Sequence, residues 1–479
     1  MPADADADPA GLQQIHDMLR RGVVVSDVVD DSRLVTPGSM YVCLRGQSFD
    51  GHDFAQQAVL DGAVALVVDH HVDAPAEVAQ IVVDDTRLRV GPIAALLAGH
   101  PSRSLVTVGI TGTNGKTTTA QFLEAIFDGN GWMTGVVGTL HGPRTTPEAT
   151  DLQRTLRNFR DDGRDAAVLE VSSHALALHR VDGTEFDAVV FTNLGRDHLD
   201  LHGSQEEYFR AKARLFSPGF SGLGVINVDD PHGRLLADTA ASTDPQFRVV
   251  AVSSADVTDV HVDAASHRYR WNGIDVAVPI GGRFNVSNSL VALTTAVELG
   301  VDPVVAATAL RSVAAVPGRF QLVTTPAADR LGLIVVVDYA HTPDGLAEVL
   351  TSARAVAAGN SVIVVFGCGG ERDRPKRPEM GRTAAELADR VVVTSDNPRR
   401  EDPNTILDEI VEGVGADYRA RVVSDPDRRS AIRLAIESAR PGDVVVVAGK
   451  GHERTQEYAD RTVEFDDVRV AAEIMEALA

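Results

Sequence analysis

The chain has 479 residues, of which 44% are hydrophobic, so it is long enough for about three domains with buried cores. Its net charge of −23 argues against nonspecific binding to nucleic acid or to an anionic membrane surface. There is no apolar run of about 18 residues, the start MPADADADPAGLQQ is unlike a signal peptide, and Cys43 and Cys368 lie in no metal-binding pattern. We therefore expect a cytoplasmic, multidomain enzyme with no membrane span and no nucleic acid partner.

The first hundred residues predict a small α/β domain. Short apolar runs that indicate strands alternate with an alanine-rich helical stretch, in the order VVVSDVVDDSRLV, MYVCLRG, DFAQQAVLDG, AVALVVD and QIVVDD. The Pro-containing segment GHPSRS then breaks the pattern. We place the first domain boundary there, so that the N-terminal domain covers residues 1–104.

The remainder of the chain predicts two further α/β domains, over residues 105–322 and 323–479. In the first, the apolar runs are SLVTVGIT, DAAVLEVSS, FDAVVFTNL and LGVINVDD. After a second break near VPGRFQLV, the runs LIVVVDYAH, SVIVVFGCGG, RVVVTSDN and DVVVVAGKGH repeat the pattern. Apolar strands that alternate with helices indicate mostly parallel, buried sheets. Such sheets bind ligands beyond the carboxyl ends of their strands, where the polar residues of these segments lie.

The strongest local motif is GITGTNGKTTT, residues 109–119, between a predicted strand and a predicted helix. It matches the phosphate-binding P-loop, whose backbone N–H groups hold the phosphates of a nucleotide. Lys116 is then expected to reach the β and γ phosphates, and the Thr117 hydroxyl to bind Mg²⁺. The alternative is a glycine-rich turn that binds no ligand.

Three polar residues follow other strands of the same predicted sheet. Glu170 lies in LEVSSHAL, and Asp197 and His198 lie in FTNLGRDHLDLHG. Because parallel strands end at one edge of a sheet, these side chains are expected to meet near the phosphates and to bind a metal ion. For His198 the alternative is a structural histidine.

An ordered set of motifs resembles the bacterial Mur ligases, from about residue 31 to about residue 470. The set is TGTNGKTTT, TTPE, EVSSHAL, NLGRDHLDLHG, YFRAKARLF, GRFNVSN, PGRF, DYAHTPD, FGCGGERDRPKRP, SDNPRREDP and AGKGHE. The resemblance implies a UDP-binding N-terminal domain, a central P-loop ATPase domain and a C-terminal Rossmann-like domain that binds an amino acid. It also implies an ATP-dependent amide ligase that adds the third residue of the peptidoglycan stem peptide to UDP-MurNAc-L-Ala-D-Glu through an acyl phosphate.

The resemblance also implies a site with two Mg²⁺ ions. Thr117 and Glu170 would hold one ion, and His198 and Lys212 the other, with Lys212 carbamylated by CO₂ so that it ligates as a carboxylate. The chain contains only four lysines, Lys116, Lys212, Lys376 and Lys450, and each lies in one of these motifs. Arginine stays protonated and does not form the carbamate, so it does not replace lysine at residue 212. The alternative is chance survival of lysine in an arginine-rich chain.

Further residues correspond to the substrate contacts of the family. The predicted ATP site comprises Gly112, Thr113, Asn114, Gly115, Lys116, Thr117, Thr118, Asn285, Asn288, Arg319 and Asp338. The predicted UDP-MurNAc-dipeptide site comprises Ser32, Thr145, Thr146, Ser172 and Arg180. Asn288 and Ser32 have helix capping as the alternative role, and Arg180 has that of a surface arginine on a helix.

The form DNPR, within SDNPRRE, resembles ligases that take diaminopimelate rather than L-lysine. The predicted amino-acid site comprises Arg372, Asp396, Asn397, Pro398, Arg399, Gly449 and Glu453. An arginine holds the distal carboxylate of diaminopimelate in a bidentate pair, whereas it repels the distal cation of lysine. The alternatives are addition of L-lysine or another diamino acid, a folylpolyglutamate or cyanophycin type of ligase, and a nucleotide-binding protein without ligase activity. We expect a monomer.

The chain departs from the usual family pattern at a few positions. Gly195, Glu371, Pro375 and Gln321 stand where Ser, Asp, Gly and Glu are common, and the loop over residues 140–145 is short. We expect these differences to affect loop geometry more than chemistry.

Overall fold

The computed structural model describes residues 9–46, 49–197 and 199–479. The helices are α1 (Pro9–Arg20), α2 (Ala55–Leu60), α3 (Thr86–Leu97), α4 (Lys116–Gly129), α5 (Ala149–Asp161), α6 (Ser173–Ala177), α7 (Leu199–His202), α8 (Gln205–Ala213), α9 (Pro231–Thr243), α10 (Phe284–Glu298), α11 (Pro303–Ala309), α12 (Pro326–Leu331), α13 (Pro343–Ala357), α14 (Lys376–Leu387), α15 (Pro403–Glu412), α16 (Arg428–Ser438) and α17 (Asp467–Leu478). The strands are β1 (Asp27–Val29), β2 (Ser39–Val42), β3 (Ala65–Val68), β4 (Ala79–Val82), β5 (Val106–Thr111), β6 (Thr134–Val137), β7 (Ala166–Glu170), β8 (Ala188–Phe191), β9 (Leu223–Asn227), β10 (Arg248–Val252), β11 (Val257–Val262), β12 (His267–Trp271), β13 (Ile274–Val278), β14 (Gln321–Leu322), β15 (Ile334–Asp338), β16 (Val362–Phe366), β17 (Arg390–Val393), β18 (Val422–Ser424), β19 (Val444–Ala448), β20 (Thr455–Glu457) and β21 (Thr462–Glu464).

The first sheet is parallel and has the strand order β1-β2-β3-β4. Its core packs Met40 and Val42 against Ile15 of α1 and Ile93 of α3, whereas Tyr41 packs with Ala58 of α2 on the other face. The predicted α/β character of the N-terminal segment is thereby confirmed.

The central sheet has the order β10-β9-β8-β5-β7-β6, and all of its strand pairs are parallel. Helices α4 and α10 share one core with this sheet, which includes Val108 and Leu290, and Leu156 of α5 lies in the core of the other face. Strand β7 is buried along its whole length, as expected of a continuous apolar run. The order places β5, which leads into the P-loop, between β7 and β8.

An antiparallel sheet, β11-β12-β13, was not predicted from the sequence. In β12 buried and exposed residues alternate, so that Tyr269 and Trp271 join the central core while Arg268 and Arg270 are exposed. An alternating strand of this kind lacks the continuous apolar run by which β5, β7, β8 and β9 were predicted.

The third large sheet has the order β14-β15-β19-β16-β17-β18, and its pairs are parallel except for the edge strand β14. Helices α13 and α14 cover one face, and α12, α16 and α17 cover the other. Because β14 pairs with β15, Gln321 and Leu322 belong to this sheet, although the predicted boundary assigned them to the central domain. A short hairpin, β20-β21, follows this sheet.

Among the described residues, no helix has the length and the apolar character needed to cross a bilayer.

Candidate functional site

A cavity of about 820 Å³ is lined by residues from both large parallel sheets. The central part contributes the P-loop and the segments that follow β7, β8 and β9, and the C-terminal part contributes the loop after β15. Ligand sites of open α/β sheets lie at such carboxyl ends. The predicted site residues that line the cavity are Thr113, Asn114, Gly115, Lys116, Thr117, Thr118, Thr145, Glu170, Ser172, Asp197, Asn288, Arg319 and Asp338.

The P-loop turns into α4 at Gly115, which has a left-handed φ of +85°. A Cβ atom at this position would lie 2.4 Å from Oδ1 of Asn288, so both the backbone angle and the close approach require glycine. The Lys116 ammonium donates hydrogen bonds to the carbonyl oxygens of Gly112 (2.8 Å) and Thr113 (2.9 Å). The loop thus presents a helix N-terminus and a lysine to the cavity, as a phosphate-binding site requires.

Glu170 is buried at the end of β7 and is fixed by three hydrogen bonds. Its Oε2 accepts from the hydroxyls of Thr117 (2.9 Å) and Thr139 (3.1 Å), and its Oε1 accepts from the Thr139 N–H (2.9 Å). Thr139 was not predicted, although its position two residues beyond β6 places it at the same sheet edge. Hydroxyl and carboxylate oxygens are the ligands that Mg²⁺ prefers, so Thr117 and Glu170 fit the predicted metal site.

Lys212 lies on α8 and is only 1% exposed. Its Nζ donates to the Gly112 carbonyl at 2.8 Å and lies 4.6 Å from the centre of the Tyr208 ring. Burial, together with the charge of nearby Lys116, lowers the pKa of Lys212 well below its ordinary value. The environment thus favours a neutral amine beside the P-loop. His198, the other predicted ligand of this metal ion, lies outside the described residues.

Arg319 and Asp338 approach the P-loop from the C-terminal part. Arg319 Nη2 lies 3.4 Å from the Thr117 hydroxyl, and its guanidinium carbon lies 4.4 Å from the centre of the Tyr339 ring. Asp338 ends β15 and accepts hydrogen bonds from the N–H groups of Phe320 (2.6 Å) and Ala340 (2.8 Å). Burial raises the pKa of Asp338. These contacts fix both side chains at the wall of the cavity.

The two predicted asparagines of α10 differ in position. Asn288 lines the cavity, and its amide donates to Oδ1 of Asn285 at 2.9 Å. Asn285 is fully buried and donates to the Gly281 carbonyl at 2.7 Å, and it does not line the cavity. The structure therefore places Asn285 behind Asn288, as its support.

The residues predicted for the dipeptide form a chain of contacts beside Glu170. The Thr145 and Thr139 hydroxyls are 3.0 Å apart, and the buried Thr146 hydroxyl donates to the Glu170 carbonyl at 2.8 Å. The Ser172 hydroxyl accepts the Ala175 N–H at 3.1 Å, so this residue also caps α6.

Arg180 and Ser32 lie outside the cavity wall. The Arg180 guanidinium donates to both carboxylate oxygens of Glu148, at 3.0 and 2.7 Å, and its side chain is 12% exposed. Arg180 is therefore paired with Glu148 and largely shielded from solvent, and its contact with the substrate stays a prediction. Ser32 begins a short 3₁₀ helix in the N-terminal part, and Asp31 rather than Ser32 caps this helix. The capping alternative for Ser32 is thus wrong.

Near the ends of β17 and β19, three side chains are all hydrogen-bonded to one another: those of Asn397, Lys450 and Glu453. Lys450 is fully buried, and its ammonium donates to Oδ1 of Asn397 and to Oε2 of Glu453, both at 3.0 Å. The Asn397 amide donates to the same Glu453 oxygen at 2.8 Å. Asn397 and Glu453 were predicted, whereas the contacts that Lys450 makes with them were not. We call these three residues the amino-acid cluster.

The other residues predicted to bind diaminopimelate surround this cluster. Arg399 Nη1 donates to the Gly370 carbonyl at 2.8 Å, and its Nε lies 3.2 Å from a Glu457 oxygen. Gly449 has a φ of +110°, and a Cβ atom there would lie 2.6 Å from Oδ2 of Asp396. The remaining two residues differ in burial: Pro398 is buried and Arg372 is exposed. None of the predicted diaminopimelate residues lines the large cavity.

Contacts between the central and C-terminal parts lie beside the cavity. The Arg196 N–H donates to Oδ2 of Asp344 at 2.7 Å, and the Arg196 guanidinium pairs with Glu379. A Cβ atom at Gly195 would lie 2.7 Å from the same Asp344 oxygen, so glycine permits this approach. At another unusual position, Gln321 accepts the Gly318 N–H at 2.8 Å.

Three family descriptions match the chain in order. "Mur ligase family, catalytic domain" matches residues 25–97, "Mur ligase middle domain" matches residues 110–296, and "Mur ligase, glutamate ligase domain" matches residues 318–451. Together they span the N-terminal, central and C-terminal sheets.

Individual relatives match over almost the whole chain. The UDP-N-acetylmuramoyl-L-alanyl-D-glutamate–2,6-diaminopimelate ligase of Syntrophomonas wolfei is 40% identical over 467 residues, which cover 94% of each chain. A solved structure of a ligase with the same name is 33% identical, with a TM-score of 0.66 and 95% of each chain covered. The MurF ligase of Thermotoga maritima in complex with ADP shares the fold, with 21% identity, a TM-score of 0.64, and coverage of 95% of this chain and 98% of that one.

Proposed function

The chain belongs to the Mur ligase family, and from this premise we propose that it is an ATP-dependent ligase that joins diaminopimelate to UDP-MurNAc-L-Ala-D-Glu. The observation that carries the proposal is the P-loop cavity with Lys116, Thr117 and Glu170 in its wall, in a chain 40% identical to a curated diaminopimelate ligase. The proposal places the reaction in the cytoplasm, as part of the synthesis of peptidoglycan precursors.

In the first step, a carboxylate oxygen of the D-Glu residue attacks the γ phosphorus of ATP, the bond to the bridging oxygen breaks, and ADP leaves. The product is an acyl phosphate. The N–H groups at the start of α4 and the Lys116 ammonium stabilise the negative charge that develops on the phosphate oxygens. Arg319, whose guanidinium lies beside Thr117, adds a further positive charge at the same place.

In the second step, the amine of diaminopimelate attacks the acyl carbon, inorganic phosphate leaves with its electron pair, and the amine gives up a proton. The result is an amide, ADP and phosphate. The protein's main contribution is to hold the two substrates in line and to exclude water, because water would hydrolyse the acyl phosphate. We propose that the contacts of Arg196 with Asp344 and Glu379 keep the two halves of the site together during this step.

We propose that Thr117 and Glu170 hold one Mg²⁺ ion, and that His198 and a carbamylated Lys212 hold a second. When bound, Mg²⁺ would neutralise negative charge on the phosphates and on the attacking carboxylate. The donor chemistry supports the first assignment, because both residues offer hard oxygen atoms. The second is supported by the burial of Lys212, because CO₂ reacts with a neutral amine rather than with an ammonium ion.

For the amino acid, we propose that Arg399 binds the distal carboxylate of diaminopimelate and that Asn397 and Glu453 bind its distal ammonium group. The amino-acid cluster supports this assignment, because it fixes the positions of both polar side chains. The curated relative at 40% identity is also named for diaminopimelate rather than for L-lysine. The match of residues 25–97 to a Mur ligase description favours a UDP-linked substrate over a folylpolyglutamate or cyanophycin precursor.

The test is a coupled assay of phosphate release with purified protein, ATP, Mg²⁺ and UDP-MurNAc-L-Ala-D-Glu. We expect release that depends on diaminopimelate and a product whose mass increases by one diaminopimelate residue. Matched reactions contain L-lysine, L-glutamate or no amino acid. Equal or faster release with L-lysine would overturn the specificity, and no release with any amino acid would overturn the ligase assignment.

A further inference from the structure

A buried ion pair lies beneath the amino-acid cluster. Arg428, the first residue of α16, and Asp467, the first residue of α17, are both 0% exposed. Arg428 Nε donates to Asp467 Oδ1 at 2.8 Å, and its Nη2 donates to Oδ2 at 2.7 Å. The removal of two charges from water is costly, and an apolar pair of similar volume is often at least as stable. Stability alone is therefore a weak explanation for this pair.

The other hydrogen bonds of Arg428 lead to the carboxyl ends of two strands, to Ser395 just beyond β17 and to Ala448, the last residue of β19. Its Nη1 donates to the Ser395 carbonyl at 3.2 Å, and its Nη2 donates to the Ala448 carbonyl at 2.9 Å. Ser395 lies two residues before Asn397, and Ala448 lies two residues before Lys450. A single planar guanidinium thus connects the points at which the chain leaves β17 and β19 to enter the two loops. Asp467 fixes the orientation of that guanidinium.

Both loops carry members of the amino-acid cluster, and other contacts tie them together. Gln456, on strand β20 directly after the second loop, donates to the Asp396 carbonyl in the first at 2.8 Å. The close approach of Gly449 to Asp396 leaves no room for a side chain between the two loops. A small shift of either loop would change the distances among Asn397, Lys450 and Glu453, which are 2.8 to 3.0 Å.

We propose that Arg428, oriented by Asp467, is a positioning residue for the amino-acid substrate, because it sets the separation of the two loops that carry Asn397 and Glu453. This inference rests on the proposed function, since it takes these loops to be the diaminopimelate site. Arg428 is buried beneath the loops, so it acts on the substrate only through them.

The test compares the conservative variants Arg428→Lys and Asp467→Asn with the parent chain. Lysine keeps the charge but lacks the planar fork that reaches two carbonyls and a carboxylate at once. We expect each variant to raise the KM for diaminopimelate about tenfold or more, while the KM values for ATP and UDP-MurNAc-L-Ala-D-Glu change less than about twofold. The preference for diaminopimelate over L-lysine should fall by a similar factor.

The chain offers a matched control on the same two helices. Arg429 and Glu473 also form an ion pair between α16 and α17, at 2.7 Å, but their side chains are 46% and 48% exposed. Arg429→Lys and Glu473→Gln should leave all three KM values within about twofold of the parent. If Arg428→Lys fails to fold, Asp467→Asn carries the same test, because asparagine keeps the shape of the side chain.

The outcomes separate the inference from the proposed function. If the parent does not use diaminopimelate, the proposed function fails, and the inference fails with it. Suppose that the parent uses diaminopimelate, and that the variants have a lower melting temperature and a lower kcat but unchanged KM values. The ion pair is then merely structural, and the inference alone is overturned. An equal rise of all three KM values would overturn it as well.

Discussion

The replacement of Lys212 by arginine tests the proposed carbamate directly. The guanidinium stays protonated and forms no carbamate, so Lys212→Arg should lose the proposed ligand while keeping a positive charge. We expect turnover to fall by roughly 10²-fold or more, as it should in Lys212→Ala. If Lys212 instead acts as a simple cation that neutralises phosphate, the arginine variant keeps most of the activity.

The surroundings of Lys212 also predict how the arginine and alanine variants differ in their free energy of unfolding. Lys212 is 1% exposed, and its amine shares the Gly112 carbonyl with Lys116. A permanently charged group that lacks a hydrogen-bonded counter-ion in such a buried site costs about 3 to 5 kcal/mol. Lys212→Ala loses the hydrogen bond of a neutral amine and its van der Waals contact with the Tyr208 ring, together about 1 to 2 kcal/mol. Urea unfolding should therefore show that the arginine variant is the less stable one by about 2 kcal/mol.

The assay measures phosphate release by both variants with and without sodium formate. Formate should partly restore Lys212→Ala by filling the position of the missing carboxylate, and it should have no effect on Lys212→Arg. The parent should lose activity after prolonged treatment at acidic pH without CO₂ and regain it with bicarbonate. Arg210→Ala, at an exposed position on the same helix, is the control and should stay within about twofold of the parent. An arginine variant with more than about a tenth of parental turnover, and no response of either variant to formate, would refute the reasoning.

Three further changes give distinct expected results. Lys116→Ala should abolish ATP-dependent turnover without unfolding the chain, as measured by phosphate release and circular dichroism, because its ammonium is the group that we propose binds the transferred phosphate; turnover within a few-fold of the parent would contradict the P-loop assignment. Arg399→Ala should raise the KM for diaminopimelate about 30-fold, corresponding to about 2 kcal/mol for a lost charge-assisted contact, and the KM for ATP less than twofold; equal effects on both substrates would contradict the specificity. For Glu348, burial and nearby Asp338 raise the carboxyl pKa to about 7 from an ordinary value of 4.5. The folded chain then binds the proton more tightly than the unfolded chain, so this group costs stability as the pH rises from 4.5 to 7. Glu348→Gln should accordingly be more stable than the parent by about 3 kcal/mol at pH 8 in urea unfolding, with little difference near pH 4.5; a difference that does not change with pH would count against this explanation.

The sequence predicted the parts of the fold that carry continuous apolar runs. The strands that end at Glu170 and at Asn227 are buried over their whole length, so their composition alone indicates a parallel sheet. The sheet β11-β13 escaped prediction because polar side chains occupy its exposed face, as in Arg268 and Arg270. Strand β14 has only two residues, too few for any pattern to be seen.

Local sequence motifs were sufficient to predict the candidate site where one short segment of the chain forms it, as at the P-loop. They were insufficient where residues distant in sequence meet. Lys450 contacts Asn397 across 53 residues, and Arg428 contacts Asp467 across 39. The difference between Asn285 and Asn288 likewise depends on which side of α10 faces the cavity, and the motif GRFNVSN does not indicate that side.

The confinement of lysine to four positions has a practical consequence for chemical probing of the molecule. Lys212, Lys376 and Lys450 are 1%, 8% and 0% exposed, and Lys116 is half-buried in the P-loop. An amine-selective reagent or a lysine-specific protease will therefore find few accessible targets on the outer surface of the folded chain. Labelling or cleavage at Lys212, Lys376 or Lys450 reports opening of the interior, so its rate, followed with and without nucleotide, measures how often these buried regions open.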